Sequence, residues 1–105
     1  MTEENQYKKI IYIDIDETIC RTPDSRDYTL SEPILENIKK ANLLYDQGNK
    51  IVYWTARGTV TGIDWESTTK EQFNRWGVRY HDLKFGKPYY DLFIDDKNMN
   101  TEHWK

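Results

Sequence analysis

Two aspartates stand one residue apart at the end of an apolar run: Asp14 and Asp16 in IIYIDIDETIC, residues 10–20, with Glu17 beside them. Carboxylates held this close repel one another and lose solvation when buried, so the pattern calls either for open solvent or for a positive charge between them. In an extended segment, side chains at i and i+2 point the same way, about 6.5–7 Å apart, which lets the two acids flank a small group. A second acidic pair, Asp95 and Asp96, closes another apolar run, LFI. Four hard oxygen donors of this kind suit Mg2+, which takes one or two carboxylates together with water and a substrate phosphate. Thr55, Arg57 and Lys87 add a hydroxyl, a guanidinium and an ammonium, a set that binds an anion beside exposed backbone N–H groups. Carboxylates around a cation on one side and an anion cradle on the other are equipment for phosphoryl transfer. One aspartate attacks phosphorus to give an aspartyl-phosphate. The other protonates the leaving oxygen and then deprotonates the incoming water.

These residues can meet only if strands deliver them. Residues 8–14, 50–54 and 91–95 are short, continuous apolar runs of the kind that forms buried strands. Between the first two, Ile34, Ile38, Ala41 and Tyr45 recur at helical spacing, with Ser31 as N-cap, Pro33 in the first turn and Gly48 as the stop. A second helix is predicted over about 65–76, with Trp65, Thr69, Phe73 and Trp76 on one face and Gly77 ending it. An extended piece, Val78 to Tyr80, follows. Alternating strands and helices imply an α/β domain: a central parallel sheet flanked by helices, Rossmann-like, with ligands at the carboxyl ends of the strands. Asp14, Thr55, Asp95 and Asp96 all fall at such ends, and Lys87 lies in the loop before the last one.

The 105 residues suit one domain, spanning 1–105, and the 37% hydrophobic content supplies a small core despite 31% charge. A net charge of −3 gives no overall attraction to nucleic acid or anionic membrane, so neither is expected as a partner. One cysteine, Cys20, allows no internal disulfide. The polar start MTEENQYKK lacks a signal-peptide core, and no apolar run approaches the ~20 residues that cross a bilayer, so a cytoplasmic location is expected.

The ordered set of motifs resembles the haloacid dehalogenase superfamily of phosphohydrolases. Asp14-Ile15-Asp16-Glu17-Thr18 matches its first motif, IVYW followed by Thr55 its second, Lys87 in FGKP its third, and LFI followed by Asp95 and Asp96 its fourth. The resemblance spans residues 10 to 96 and implies a role for each position. Asp14 is the nucleophile and a metal ligand. Asp16 is the general acid and base, with its carbonyl on the metal. Thr18 braces the turn. Thr55 and the N–H of Ala56 hold phosphate oxygens, and Lys87 pins the phosphate and the nucleophile. Asp96 is the expected direct Mg2+ ligand and Asp95 the partner of Lys87. The gaps 19–32 and 59–86 leave no room for the family's inserted cap domain, so the expected site is open, or closed over by a second subunit in a homo-oligomer. The segment CRTPDSRDYTL then becomes the specificity element, with Arg21 and Arg26, and Arg57 from the opposite side, as candidate contacts to a small phosphate ester. WTARGTVTGIDW and GVRYHDLKFGKPYYDLFIDDK are also similar to small stand-alone phosphatases of capsule and surface-polysaccharide biosynthesis, which implies a phosphorylated sugar as substrate.

Competing readings are weaker. A calcium loop starting at Asp14 needs Gly and Glu where Ile19 and Ser25 stand. Cys20 to Arg26 has the Cys-x5-Arg spacing of cysteine phosphatases but places Asp24 inside the loop and has no glycine there. A receiver domain, which accepts a phosphoryl group to signal, carries its paired acids after the first strand and its phosphorylated Asp after a middle one; here the pair comes last. A nucleotide or polynucleotide phosphatase remains the alternative substrate class. His81, His103 and Cys20 are scattered and make a poor zinc set. His81 is read as structural or as a surface residue.

Overall fold

The computed structural model describes residues 6–105. The chain runs β1 (Ile10–Ile13), β2 (Cys20–Arg21), β3 (Glu32–Pro33), α1 (Leu35–Asp46), β4 (Lys50–Trp54), α2 (Glu66–Trp76) and β5 (Asp82–Lys84), with single 3-10 turns at Tyr28–Leu30 and Thr101–His103. The main sheet has the order β1-β4-β5 and is wholly parallel. Ile10 lies opposite Lys50, Ile13 opposite Tyr53 and Val52 opposite Asp82. The central strand is the most apolar, as its flanking by two neighbours requires: Ile51, Val52 and Tyr53 are all buried.

Both connections, β1–α1–β4 and β4–α2–β5, step across the sheet in one direction, and right-handed crossovers then put both helices on one face. Accordingly Ile38 and Ala41 of α1 and Phe73 of α2 join Ile13, Ile51 and Tyr53 in a single buried cluster. The ring of Phe73 meets Tyr53 edge-on at 4.9 Å. The other face carries Ile10 and Tyr12, both exposed. On that face Tyr12 stands edge-on to Trp54 at 6.0 Å and its hydroxyl accepts a bond from Lys84. The sheet is thus covered by helices on one side, not on both.

Helix α2 ends as its sequence dictates. Gly77 adopts a left-handed φ of 71° and caps the carbonyls of Phe73 and Asn74. The start of α1 differs from expectation. Its N-cap is Ile34, with no side-chain bond. Ser31 is instead buried next to the flap, as we term residues 22–30 between β2 and β3, and Pro33 belongs to β3, where it lies opposite Cys20. The short antiparallel pair β2–β3 claims the backbone that would otherwise have begun the helix. The third parallel strand is Asp82–Lys84, not Val78 to Tyr80. Just before it His81 makes two bonds to Ile51: its backbone N–H donates to the Ile51 carbonyl, and its side-chain Nδ1 accepts from the Ile51 N–H. His81 also stacks on Tyr45, so it is structural.

The largest departure is residues 91–95, which form no strand. Leu92, Phe93 and Ile94 are exposed. An apolar run becomes a strand only where it finds a ladder partner and a buried face. Here β5 fills the place beside β4, and the far edge of β1 has no strand partner among the described residues.

Candidate functional site

The carboxyl ends of β1 and β4 and the loop after β5 meet at one edge of the sheet. Lys84 of β5 accepts the Thr55 N–H at its carbonyl, the Lys87 N–H donates to the Thr55 carbonyl, and the Thr59 hydroxyl donates to the Lys87 carbonyl. These bonds fasten the lysine loop to the end of β4. Lys87 Nζ then lies 3.3 Å from Asp14 Oδ2, with the lysine side chain 12% exposed and the aspartate 39%. Burial pushes the Asp14 carboxyl up from the usual carboxylate value, and Lys87 offsets only part of that rise. Burial works against the Lys87 ammonium, but the Tyr90 hydroxyl and the Asp14 carboxylate outweigh it and hold the amine above its usual value. Asp14 is therefore a partly desolvated carboxylate with one cation beside it and an unmet demand for positive charge.

Thr55 is fully buried, and its Oγ1 accepts from the Arg57 N–H at 3.1 Å. That bond leaves the hydroxyl proton to donate. Ala56 forms no backbone hydrogen bond through its own N–H among the described residues. A hydroxyl proton and a free amide on one turn make a small anion seat. Beside it opens a cleft of about 180 Å3, lined by residues that include Gly58, Thr59, Asp64, Trp65, Phe85 and Gly86. Gly58 is held at φ +80°, and a Cβ there would lie 2.1 Å from the Ile63 carbonyl oxygen, so the loop closes only on glycine.

The turn after β1 is tightly built. Glu17 sits at φ 62°, a conformation rare for a non-glycine residue, and its carboxylate accepts the Thr22 N–H. Thr18 braces the turn through its carbonyl, which accepts from Asn37, and its hydroxyl lies 3.4 Å from that of Thr101.

Arg57 is corrected from a substrate contact to an internal residue. It is 2% exposed, and its guanidinium is satisfied from within the protein. Nε and Nη2 grip the two oxygens of Asp16 at 3.1 and 2.9 Å; Nη1 donates to Thr69 at 3.0 Å and Gln72 at 2.7 Å. Nη2 also approaches Cys20 Sγ and Ser31 Oγ, and the Tyr28 ring covers the guanidinium at 4.7 Å. Thr69 and Gln72 were the legible signal for this partner: they stand three apart on α2 and both are buried beside Phe73. Arg21 is exposed on β2, opposite Glu32, and Arg26 is exposed at φ 61°.

Cys20 is fully buried. Burial and the neighbouring Asp16 push its thiol up to about 12, which leaves no thiolate for nucleophilic attack near neutral pH.

Asp95 and Asp96 are not brought to Asp14. Both are exposed; Asp95 Oδ1 accepts the Lys97 N–H at 3.3 Å, and the nearness of the two carboxyls holds Asp95 down and pushes Asp96 up. Lys87 pairs with Asp14 in place of the expected Asp95. Among the described residues no three acidic, histidine or cysteine side chains gather around one point; Asp14 is the carboxylate at this edge that would hold a divalent cation, with water and a substrate phosphate completing its shell. No helix among them is long and apolar enough to cross a membrane.

No protein-family model and no curated protein matches the chain. Among solved structures it is similar to the crystal structure of a structural-genomics target from Vibrio cholerae. The two share 25% identity and a TM-score of 0.83, with 91% of this chain and 86% of that chain covered. The fold is therefore common to nearly the whole of both chains.

Proposed function

We propose that the chain is a phosphomonoesterase of the haloacid dehalogenase type, with a minimal Rossmann-like domain and no cap. The observation that carries this reading is the convergence of Asp14, Thr55 and Lys87, from three separate segments, at the carboxyl edge of a parallel sheet, with Lys87 Nζ 3.3 Å from Asp14 Oδ2. In the proposed reaction the Thr55 hydroxyl and the Ala56 N–H hold phosphate oxygens, and Lys87 offsets the repulsion between phosphate and the attacking carboxylate. Asp14 attacks phosphorus in line and forms an aspartyl-phosphate. Asp16 gives a proton to the leaving oxygen and takes one from the water that releases phosphate.

Mg2+ belongs to this proposal as the ion that would meet the remaining charge demand at Asp14. The acids expected to share it are Asp96 and Asp95, once residues 91–96 lie along the free edge of β1. The preferred substrate is a phosphorylated sugar of polysaccharide biosynthesis, handled in the cytoplasm; a nucleotide or strand end is the alternative.

The test is a panel of phosphosugars, nucleotides and phosphorylated oligonucleotides, assayed with Mg2+ and with EDTA. Turnover that needs Mg2+ and vanishes in Asp14→Asn supports the reading. Normal turnover in Asp14→Asn refutes it. A stable phosphoryl label without sustained phosphate release would point to a receiver-like acceptor.

A further inference from the structure

Asp16 has two unlike oxygens. Oδ1 accepts from Arg57 Nη2, from the Thr22 hydroxyl and from the Cys20 thiol, which saturates it. Oδ2 accepts from Arg57 Nε alone, at 3.1 Å, and keeps a lone pair. The groups on Oδ1 come from three places: the loop after β4, the flap and β2. The flap is tied to the same centre a second time. The Thr22 hydroxyl lies 2.7 Å from that of Ser31, Gln72 Nε2 donates to the Tyr28 carbonyl, and the Tyr28 ring lies over Arg57 and edge-on to Trp65 at 5.0 Å. A guanidinium with no exposed side-chain surface, spending its donors on this one network, does not bind substrate.

Resting on the phosphatase reading, we propose that Arg57 is a positioning residue that fixes Asp16 so that Oδ2 alone exchanges the proton with the leaving group, with Thr22 locking Oδ1 from the flap. In the first step the proton on Oδ2 passes to the ester oxygen as the P–O bond breaks; that oxygen keeps the bonding pair and Asp16 is left as carboxylate. In the second, water attacks phosphorus and gives its proton to Oδ2, and the Asp14–phosphorus bond breaks to restore the Asp14 carboxylate.

The proton matters in proportion to the basicity of the leaving oxygen. A sugar alkoxide needs it; p-nitrophenolate scarcely does. Wild type, Asp16→Asn, Arg57→Lys and Thr22→Val are compared on a hexose 6-phosphate and on p-nitrophenyl phosphate, with folding checked by circular dichroism. Asp16→Asn is expected to lose about 10²–10⁴-fold on the sugar ester, and far less on the aryl ester. Arg57→Lys and Thr22→Val are expected to lower the sugar-to-aryl ratio of kcat/KM by about tenfold or more, equivalent to one misplaced proton donor. An equal loss on both esters, or no loss on either, overturns the proposal. If Arg57→Lys does not fold, Thr22→Val decides by the same ratio, because it keeps the buried charge pair. A wild type inert toward both esters is a different failure: it removes the phosphatase reading, and this inference falls with it.

Discussion

The molecule carries two pairs of neighbouring aspartates, and they have opposite fates. Asp14 and Asp16 follow a strand that is held in a sheet, and each is wired to a cation: Asp14 to Lys87 and Asp16 to Arg57. Asp95 and Asp96 follow a shorter apolar run, LFI, that holds no strand, and they face solvent, with the Asp95 carboxylate accepting the neighbouring Lys97 N–H. Identical residue types thus become a built site in one place and a solvated turn in the other. What separates them is whether the backbone behind them finds a ladder partner.

The sharpest way to break this comparison is to remove one acid from the wired pair. Asp14→Asn is expected to lower turnover of an aryl phosphate by on the order of 10³-fold or more, the loss typical of removing a nucleophile. Arg57→Met leaves the Asp16 carboxylate inside the protein without its cation and should cost about 3–5 kcal/mol of stability, read by urea denaturation. Adding Asp16→Asn to that variant should restore part of the loss, and full additivity would show that the pair is not coupled. Lys87→Ala should lower kcat by about 10²-fold, since it strips one preorganised charge from the site.

Smaller effects sharpen the contrast. Burial raises Asp14 above its ordinary 3.8 in the folded state. A group shifted upward contributes its stability below the unfolded value and loses it as pH rises through the folded value. Asp14→Asn should therefore melt higher than wild type at neutral pH, with the gap closing as pH falls toward 4. A gap that widens on acidification would contradict the assigned burial. Asp95→Asn and Asp96→Asn should leave the melting midpoint unchanged, because neither carboxylate is packed. If residues 91–96 join the site when Mg2+ binds, these variants shift the Mg2+ concentration needed for activity upward. Unchanged Mg2+ dependence would leave the second pair without a role.

The parts legible in the sequence were those governed by short-range periodicity. The Ile-rich run ending at Asp14, the KIVYW strand and the helix stopped by Gly77 all fall within a few residues of their expected places. From these follow the nearness of Asp14, Thr55 and Lys87, because parallel strands must deliver their ends to one edge. What was not legible depended on partners distant in the chain. Arg57 reads as a substrate contact until Asp16, Thr69 and Gln72 are known to converge on it from positions 12 to 41 residues away. The third strand, DLK, has no alternation to announce it, and its pairing starts beside the two bonds that His81 makes to Ile51 through its backbone N–H and its imidazole. DLFID has a strand's composition, yet it does not pair with the edge of β1 that is open among the described residues.

The collision that any side chain at position 58 would meet has a practical corollary. A library randomised at that codon and sorted for folded protein should return one amino acid, while Val60, whose side chain is exposed, should accept many. The tolerance of this loop to change would thus drop to nothing and recover within two steps along the chain.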